Sequence, residues 1–351
     1  MSNSVPNVAR RSASEVLNTP HRSAAGYGRR DKSHATASLT SNFDRWLFAG
    51  CHPAVCSILR IATASVLLIY LLTLYGELGY WFTDAGVLKS ATAQQIGQGV
   101  YGSLLFWLPS DLATVKLCWS IMMVQTVLLW LGCLSRFQVA CLFVWLVSFQ
   151  HRDKFIFDGQ DTLLRMLTFS MIFMPLDYRW SLGKWLRNKW RSGAADTGRQ
   201  ATREATPLPS AWGLRLIQLQ VTAVYLSTAW EKFQGFTWRD GTALFYVSRM
   251  DDLYGRFPLP DWWFETPWLL TAMTWGVLAL EAILPFALWW KPTRLWAMLA
   301  AIGLHLSIEI TMHIFLFEWL MIVSLLSFLP ISLPASRSLG GTVTGNADAL
   351  K

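Results

Sequence analysis

The ionisable residue that is best placed to take part in chemistry lies at the end of a long apolar segment. Residues 212–238 form an apolar stretch of membrane length, and Lys232 lies near its end, beside Glu231. A charged side chain at a bilayer boundary costs free energy unless it faces a cavity or a partner. Desolvation there also favours the neutral amine, which can accept a proton. We therefore predict that Lys232 is a base in a recessed site.

A second polar group lies within a later apolar segment, where His305, Glu309 and His313 follow each other at intervals of four residues. This spacing puts all three on one helix face. The face could form a proton relay, line a cavity, bind a metal, or hydrogen-bond between helices. Metal binding is the least favoured, because no third ligand of suitable type lies nearby. At 1.5 Å per residue, His305 should lie about 10 to 14 Å deeper than Lys232.

Two aspartates, Asp158 and Asp161, begin another apolar segment. A carboxylate in the first turn of a helix commonly caps it. Capping accounts for one aspartate, so the other is available to orient Lys232 if the two helices are neighbours. We include Asp161 with Lys232 and His305 as a predicted catalytic residue.

Further polar residues interrupt the apolar segments singly. Glu281 and Arg165 carry opposite charges, and buried opposite charges in hydrocarbon are usually mutual partners, so we expect these two to pair, with a functional role as the alternative. Gln218 and Gln220 are expected to hydrogen-bond between helices.

The composition indicates a membrane protein. Of the 351 residues, 53% are hydrophobic and only 15% are charged, which leaves too little polar surface for a soluble globule of this size. The 20 Trp and 20 Phe fit aromatic belts at both membrane interfaces. The net charge of +8 comes from basic residues that flank apolar segments, so no nucleic-acid partner is indicated. The five cysteines lack CxxC spacing, and no zinc or redox motif is indicated.

The predicted fold class is an all-α transmembrane bundle of about eight helices. Each span is judged against the roughly 20 apolar residues that cross a bilayer, and barrel strands are excluded because the alternating pattern is missing. The spans at 137–151 and 160–177 are short, so one of them could be re-entrant or absent. The predicted spans are 53–76, 112–134, 137–151, 160–177, 211–233, 267–290, 293–313 and 315–333.

Basic residues set the predicted orientation. They are dense before the first span and in the 178–210 connection, whereas the 77–111 loop carries only Lys89. By the positive-inside rule, both termini and the 178–210 loop are cytoplasmic in an inner membrane. We expect a disordered basic tail over 1–42, one transmembrane domain over 43–333, and a short tail over 334–351. Lys232 and its polar neighbours then face the extracytoplasmic side.

Four stretches together resemble the HTTM (horizontally transferred transmembrane) domain, the membrane part of vitamin K-dependent gamma-carboxylases and of bacterial relatives. The resemblance runs from about Phe43 to Pro330. The most specific stretch runs from Tyr225 through Glu231 and Lys232 to Gly241. The other stretches are 81–86, 158–161 leading to 180–181, and 281–285 followed by His305.

The resemblance implies roles for particular residues. In the carboxylases, the lysine that matches Lys232 is understood to deprotonate reduced vitamin K, and His305 matches an active-site histidine. Near Asp161 the carboxylases place an asparagine-histidine pair, which Gln160-Asp161 replaces here, and Glu231 replaces a second lysine. The chain also ends near its last span, without the large extracytoplasmic domain that engages protein substrates. We therefore do not expect glutamate carboxylation itself.

The leading functional prediction is a lysine-based enzyme, a quinone-linked oxidoreductase or gamma-carboxylase-like lyase. It would act on a quinol, such as reduced vitamin K, or on another lipophilic substrate at the extracytoplasmic face. Trp238, Glu309 and His313 are expected to contact the cofactor. The alternative is a non-catalytic membrane protein that binds a lipid, a peptide or a bacteriocin, with Lys232 as a binding cation. Small-solute transport is disfavoured, because no internal repeat or paired broken helices are visible.

Overall fold

The computed structural model describes residues 42–97, 102–156, 158–194, 210–250, 260, 262, 265–312 and 314–330. Residues 42–47 form a short helix at the end of a separate unit, Met1–Leu47. Within the described residues the second unit, Phe48–Lys351, contains helices, an isolated Gly50–Ser210 bridge and no strand. The predicted tail over 334–351, and nearly all of the tail over 1–42, lie outside the described residues.

The described part of the second unit contains thirteen α-helices. Short 3-10 segments occur at Tyr75–Glu77, Leu104–Phe106 and Leu326–Phe328. The α-helices are α1 (Pro53–Leu74), α2 (Leu78–Phe82), α3 (Ser90–Gly97), α4 (Leu112–Leu131), α5 (Ser135–Arg152), α6 (Gly159–Met171), α7 (Leu182–Ala194), α8 (Trp212–Gln234), α9 (Phe236–Arg239), α10 (Ala243–Ser248), α11 (Pro267–Ala287), α12 (Arg294–Thr311) and α13 (Phe317–Leu325).

The prediction of an all-α membrane bundle is confirmed. Every predicted span falls on a helix of the described chain. Four helical segments are long and apolar enough to cross a membrane: Pro53–Phe82, Leu112–Leu131, Pro267–Ala287 and Arg294–Thr311. The helices α5, α6, α8 and α13, which account for the other four predicted spans, are shorter or more polar.

The helices pack around α13, which contacts α1, α6, α8 and α12. Leu320 and Leu325 on α13 are buried, as are Leu59 and Leu67 on α1 and Ile217 on α8. Many apolar side chains instead point away from this core. They include Leu117 and Val124 on α4, Ile283 and Phe286 on α11, and Leu299 on α12. An exposed apolar surface of this extent is the surface that lipid tails cover.

Both glutamines predicted to join helices do so. The side-chain amide of Gln218 donates to the carbonyl of Ser327 at 2.7 Å. That of Gln220 donates to the carbonyl of Leu163 at 3.3 Å. These bonds tie α8 to the 3-10 turn after α13 and to α6. In an apolar environment such polar contacts hold helices together.

The turn between α4 and α5 accommodates a buried charge. Gly132 has φ +77°, and a Cβ at this position would meet the Arg60 guanidinium at 1.6 Å. Arg60 is fully buried, donates to the carbonyl of Trp180 at 2.6 Å, and lies 3.7 Å from the carboxylate of Asp177. Asp177 in turn accepts hydrogen bonds from Ser135. Only glycine both adopts this backbone conformation readily and leaves room for the arginine.

Helix α7 is strongly amphipathic and lies within the predicted cytoplasmic loop. Trp185, Leu186 and Trp190 share one face and are exposed. Lys184 and Arg187 lie towards the opposite face. A basic helix with exposed tryptophans is typical of a helix that lies in the membrane interface.

Candidate functional site

One large cavity brings together three of the polar residues that the sequence placed in apolar segments: Lys232, Glu281 and His305. It has a volume of about 580 Å³ and lies between α8, α11, α12 and α13. Most of its wall is apolar, with side chains such as Val224, Val277, Ile308 and Met321. The ionisable side chains on the wall are Tyr225, Lys232, Glu281, His305 and Glu318.

Lys232 forms an ion pair with Glu281. Its Nζ lies 2.7 Å from Oε1 and 2.6 Å from Oε2 of the carboxylate. The side chain of Lys232 is 24% exposed and that of Glu281 is 6% exposed, so the pair is largely shielded from solvent. The expected Glu281–Arg165 pair is wrong, because α8 packs directly against α11. Arg165 instead lies 3.4 Å from the imidazole of His151.

The ion pair lies deeper than the sequence indicated. Glu281 is about 21 Å along α11 from Pro267, at 1.5 Å per residue, and α11 is one of the candidate membrane spans. The chain that follows Lys232 packs against the first half of α11. There the backbone N–H of Leu244 donates to the hydroxyl of Thr274 at 3.4 Å. The end of α8 therefore does not mark the end of the candidate membrane-spanning region.

A second polar chain links three helices on the same cavity. The hydroxyl of Tyr225 lies 2.7 Å from Nε2 of His305. Nδ1 of His305 hydrogen-bonds the carboxylate of Glu318. All three side chains are buried. Tyr225 is two turns before Lys232 on one face of α8, so it spans the difference in depth predicted between Lys232 and His305.

The hydrogen-bond partners assign a tautomer to His305. A carboxylate accepts only, so Nδ1 of His305 carries the proton donated to Glu318. Nε2 is then the acceptor for the Tyr225 hydroxyl. A carboxylate behind an imidazole fixes the ring orientation and stabilises the imidazolium that forms if Nε2 takes a proton. The arrangement can therefore move a proton between the cavity and His305 through Tyr225.

Trp238 closes one side of the site. The Nζ of Lys232 lies 5.2 Å from the centroid of its ring, within the range of a cation–π interaction. Trp238 is on α9, and the turn after α9 contains Gly241 with φ +81°. A Cβ at Gly241 would meet the side chain of Thr271 at 2.6 Å. Trp238 is thus on the cavity wall, where the prediction of a cofactor contact remains a prediction.

The other two predicted cofactor contacts are placed differently. Glu309 is buried one turn after His305, but it is not among the residues that line the cavity. Helix α12 ends at Thr311, and His313 lies outside the described residues. The described part of the predicted polar face therefore contains His305 and Glu309.

Asp161 belongs to a different cavity. Its carboxylate accepts hydrogen bonds from the hydroxyl of Tyr70 at 3.0 Å and from the amide of Gln150 at 3.3 Å. It also forms a capping box with Asp158 at the start of α6. The expectation that one of these aspartates orients Lys232 is wrong, since Glu281 does so. The capping box and the contacts with α1 and α5 hold Asp161 on the far side of the first turn of α6. These contacts do not test its predicted catalytic role.

Sequence reasoning missed Glu318 and gave no role to Tyr225 or Glu281 in the site. Glu318 was recognisable as an acidic residue in the last apolar span, and such residues inside a span are usually functional or paired. The seven-residue interval between Tyr225 and Lys232 was a second available signal, because it places both on one helix face.

Comparison with known proteins gives one match. The model of the HTTM domain family matches residues 52–332, which is most of the chain. No curated protein and no solved structure matches the chain.

Proposed function

The chain belongs to the HTTM domain family, and on that premise we propose that it is a membrane enzyme that removes a proton from the hydroxyl of a quinol-class lipophilic substrate. The observation that carries the proposal is the convergence of the Lys232–Glu281 pair and the Tyr225–His305–Glu318 chain on one apolar cavity. From the distribution of basic residues, the proposed site faces the extracytoplasmic side.

The cavity suits a flat apolar substrate with an acidic hydroxyl. Its volume of about 580 Å³ falls in the range of ligand sites, and apolar walls with a few polar groups bind and orient such ligands. The ammonium of Lys232 is directed at the cavity, where it stabilises an anion more strongly than it would in water. Val277, Ile308 and Met321, on three different helices, line the cavity and offer apolar contacts to a ring.

The ion pair provides a balanced proton transfer. Lys232 gives one ammonium proton to the carboxylate of Glu281 and takes the proton of the substrate hydroxyl. The substrate O–H bond breaks, an N–H bond forms on Lys232, and Glu281 becomes a neutral acid. The product is an oxyanion beside the Lys232 ammonium, which is the arrangement that lowers the free energy of the charged substrate. The Tyr225 hydroxyl donates its proton to Nε2 of His305, so its oxygen is placed to accept a hydrogen bond from a second substrate hydroxyl.

A spectroscopic titration tests the proposal. A reduced naphthoquinol is titrated under anaerobic conditions with the purified protein in detergent, and its anion is followed by absorbance. We expect ionisation about 1 to 3 pH units lower than in micelles without protein, because an opposite charge a few ångströms away favours the anion. Lys232→Met should abolish this difference, because the remaining Glu281 carboxylate repels the anion.

The control is the double variant Lys232→Met with Glu281→Leu, which removes both charges and leaves the cavity apolar. It should keep its helical circular dichroism and still bind the neutral quinol, but show no lowered ionisation. A Lys232→Met protein that ionises the quinol at the same pH as the unmodified chain would disprove the proposal.

A further inference from the structure

We propose that a second cavity, beyond the proposed active site, binds a protonated amine through its charge and its N–H donors. This cavity has a volume of about 230 Å³ and lies between the C-terminal ends of α1 and α5 and the first turn of α6. Gly159 lines the first cavity and Asp161 lines the second, so the first turn of α6 separates them. The proposal rests on the charge, the unmatched acceptor and the aromatic wall of the second cavity.

The charge of the wall is negative. Asp161 is buried within it, and Glu77 is an exposed residue on it. Across the part of the chain that the structure describes, neither carboxylate has an ion-pair partner. No lysine, arginine or histidine lines the cavity. Two unneutralised carboxylates around a partly enclosed space attract a cation.

An acceptor on the same wall has no donor. Gln160 is only 9% exposed, and its Oε1 is buried without a hydrogen-bond partner among the described residues. Leaving such an oxygen unsatisfied costs free energy, which an N–H group of a ligand would recover. The oxygens of Asp161 already accept from Tyr70, Gln150 and the backbone of Asp158. Asp161 therefore contributes charge, while Gln160 requires a donor.

Much of the remaining wall is aromatic, with side chains from Trp81, Phe82, Phe149 and Phe315, and Leu74 and Ile156 add aliphatic surface. Aromatic faces attract cations and suit an alkylammonium group with a short apolar arm. A hydrated metal ion would need several more oxygen ligands than this wall offers. A quaternary ammonium would lack the N–H that Gln160 requires. The ligand class that meets all three conditions is a primary alkylammonium, from an aminophospholipid headgroup or a free small amine.

Thermal stability of the purified full-length protein measures this binding, because a ligand that binds the folded state raises the melting temperature. The probes are n-butylammonium chloride, n-butanol as its neutral counterpart, and sodium chloride at equal ionic strength. Only n-butylammonium should raise the melting temperature. The Glu77→Gln variant should need about threefold more of it for the same rise, since the charge contact with an exposed carboxylate is lost. The Glu231→Gln variant is the matched control, because Glu231 is exposed and lines neither cavity.

The Gln160→Leu variant separates a ligand site from a structural role. It removes the unsatisfied oxygen, so the protein without ligand should be at least as stable as the unmodified chain, while the response to n-butylammonium falls. Equal responses to n-butylammonium, n-butanol and sodium chloride would overturn the proposal, and so would an unchanged response in both Glu77→Gln and Gln160→Leu.

Nanodiscs of defined lipid composition distinguish a lipid headgroup from a free amine as the source of the ligand. If the site takes a lipid headgroup, phosphatidylethanolamine will compete and raise the n-butylammonium concentration for half saturation relative to phosphatidylglycerol. If it takes a free amine, the two lipids will give the same value. The naphthoquinol titration of the first cavity does not use Glu77 or Gln160, so failure of one proposal is distinguishable from failure of the other.

Discussion

At the residue scale, the important feature of Lys232 is that it is half of a pair. A buried charge that loses its partner is strongly destabilising, whereas replacing both charges by apolar groups of similar size is often neutral. We predict that Lys232→Met or Glu281→Leu alone lowers the free energy of unfolding by roughly 3 kcal/mol. The double variant should stay within about 1 kcal/mol of the unmodified protein. Unfolding in mixed detergent measures all four members of this cycle.

The same cycle shows whether the ion pair between Lys232 and Glu281 contributes to the stability of the fold. If the two single losses simply add in the double variant, the two side chains are independent and the ion pair does not hold α8 to α11. The Glu231→Gln variant should be close to neutral, because Glu231 is exposed beside the same lysine.

Lys232 could be selected from the sequence, but its partner could not. The cost of placing a charge in hydrocarbon makes any such residue conspicuous, whatever surrounds it. Partner choice depends on which helices are neighbours, and by sequence alone Asp158, Asp161 and Glu281 could each supply the counter-charge. Glu318 could have been selected in the same way as Lys232, but its contact with His305 depends on the packing of α13 against α12.

At the element scale, the turn that follows α9 positions Trp238 over Lys232. Gly241 has φ +81°, and Thr271 on α11 leaves no room for a Cβ. We predict that Gly241→Ala lowers the free energy of unfolding by about 1–2 kcal/mol, the usual cost of the left-handed conformation for a residue with a Cβ, plus the clash. The shift of α9 should also weaken the naphthoquinol response.

Gly276→Ala is the matched control for this prediction. Gly276 lies within α11, and a Cβ there would meet nothing within 4 Å. The alanine should leave the melting temperature unchanged or raise it, because alanine favours helix over glycine. Equal melting temperatures for the two variants would show that the backbone at Gly241 is not constrained as the structure indicates.

The helices themselves were largely predictable, because a run of apolar residues of membrane length has few structural alternatives. Their ends were less so. The apolar pattern predicted a span to 290, while α11 ends at Ala287, and His313 was assigned to a helix that ends at Thr311. Helix ends depend on capping contacts with other elements, such as the hydrogen bonds between Ser135 and Asp177 at the start of α5.

At the scale of the whole molecule, two cavities share one end of the bundle. The C-terminal parts of α1, α5, α8 and α12 and the N-terminal turn of α6 all contribute to their walls. Alternation of helix direction along the chain brings these ends together, and the distribution of basic residues predicts that this end is extracytoplasmic. The proposed proton removal and the proposed amine site therefore depend on the same orientation.

Labelling of single cysteines tests that orientation. Trp107 precedes α4 and is 85% exposed, and Lys291 lies in the exposed turn between α11 and α12. With the five native cysteines replaced by alanine, a membrane-impermeant maleimide should label the Trp107→Cys variant in intact cells. It should label the Lys291→Cys variant only after the cells are opened, and opened cells should give equal labelling of both. Labelling of Lys291→Cys alone in intact cells would mean that the cavities open to the cytoplasm. The alternation of helix direction places Trp107 and the cavities at the same end of the bundle.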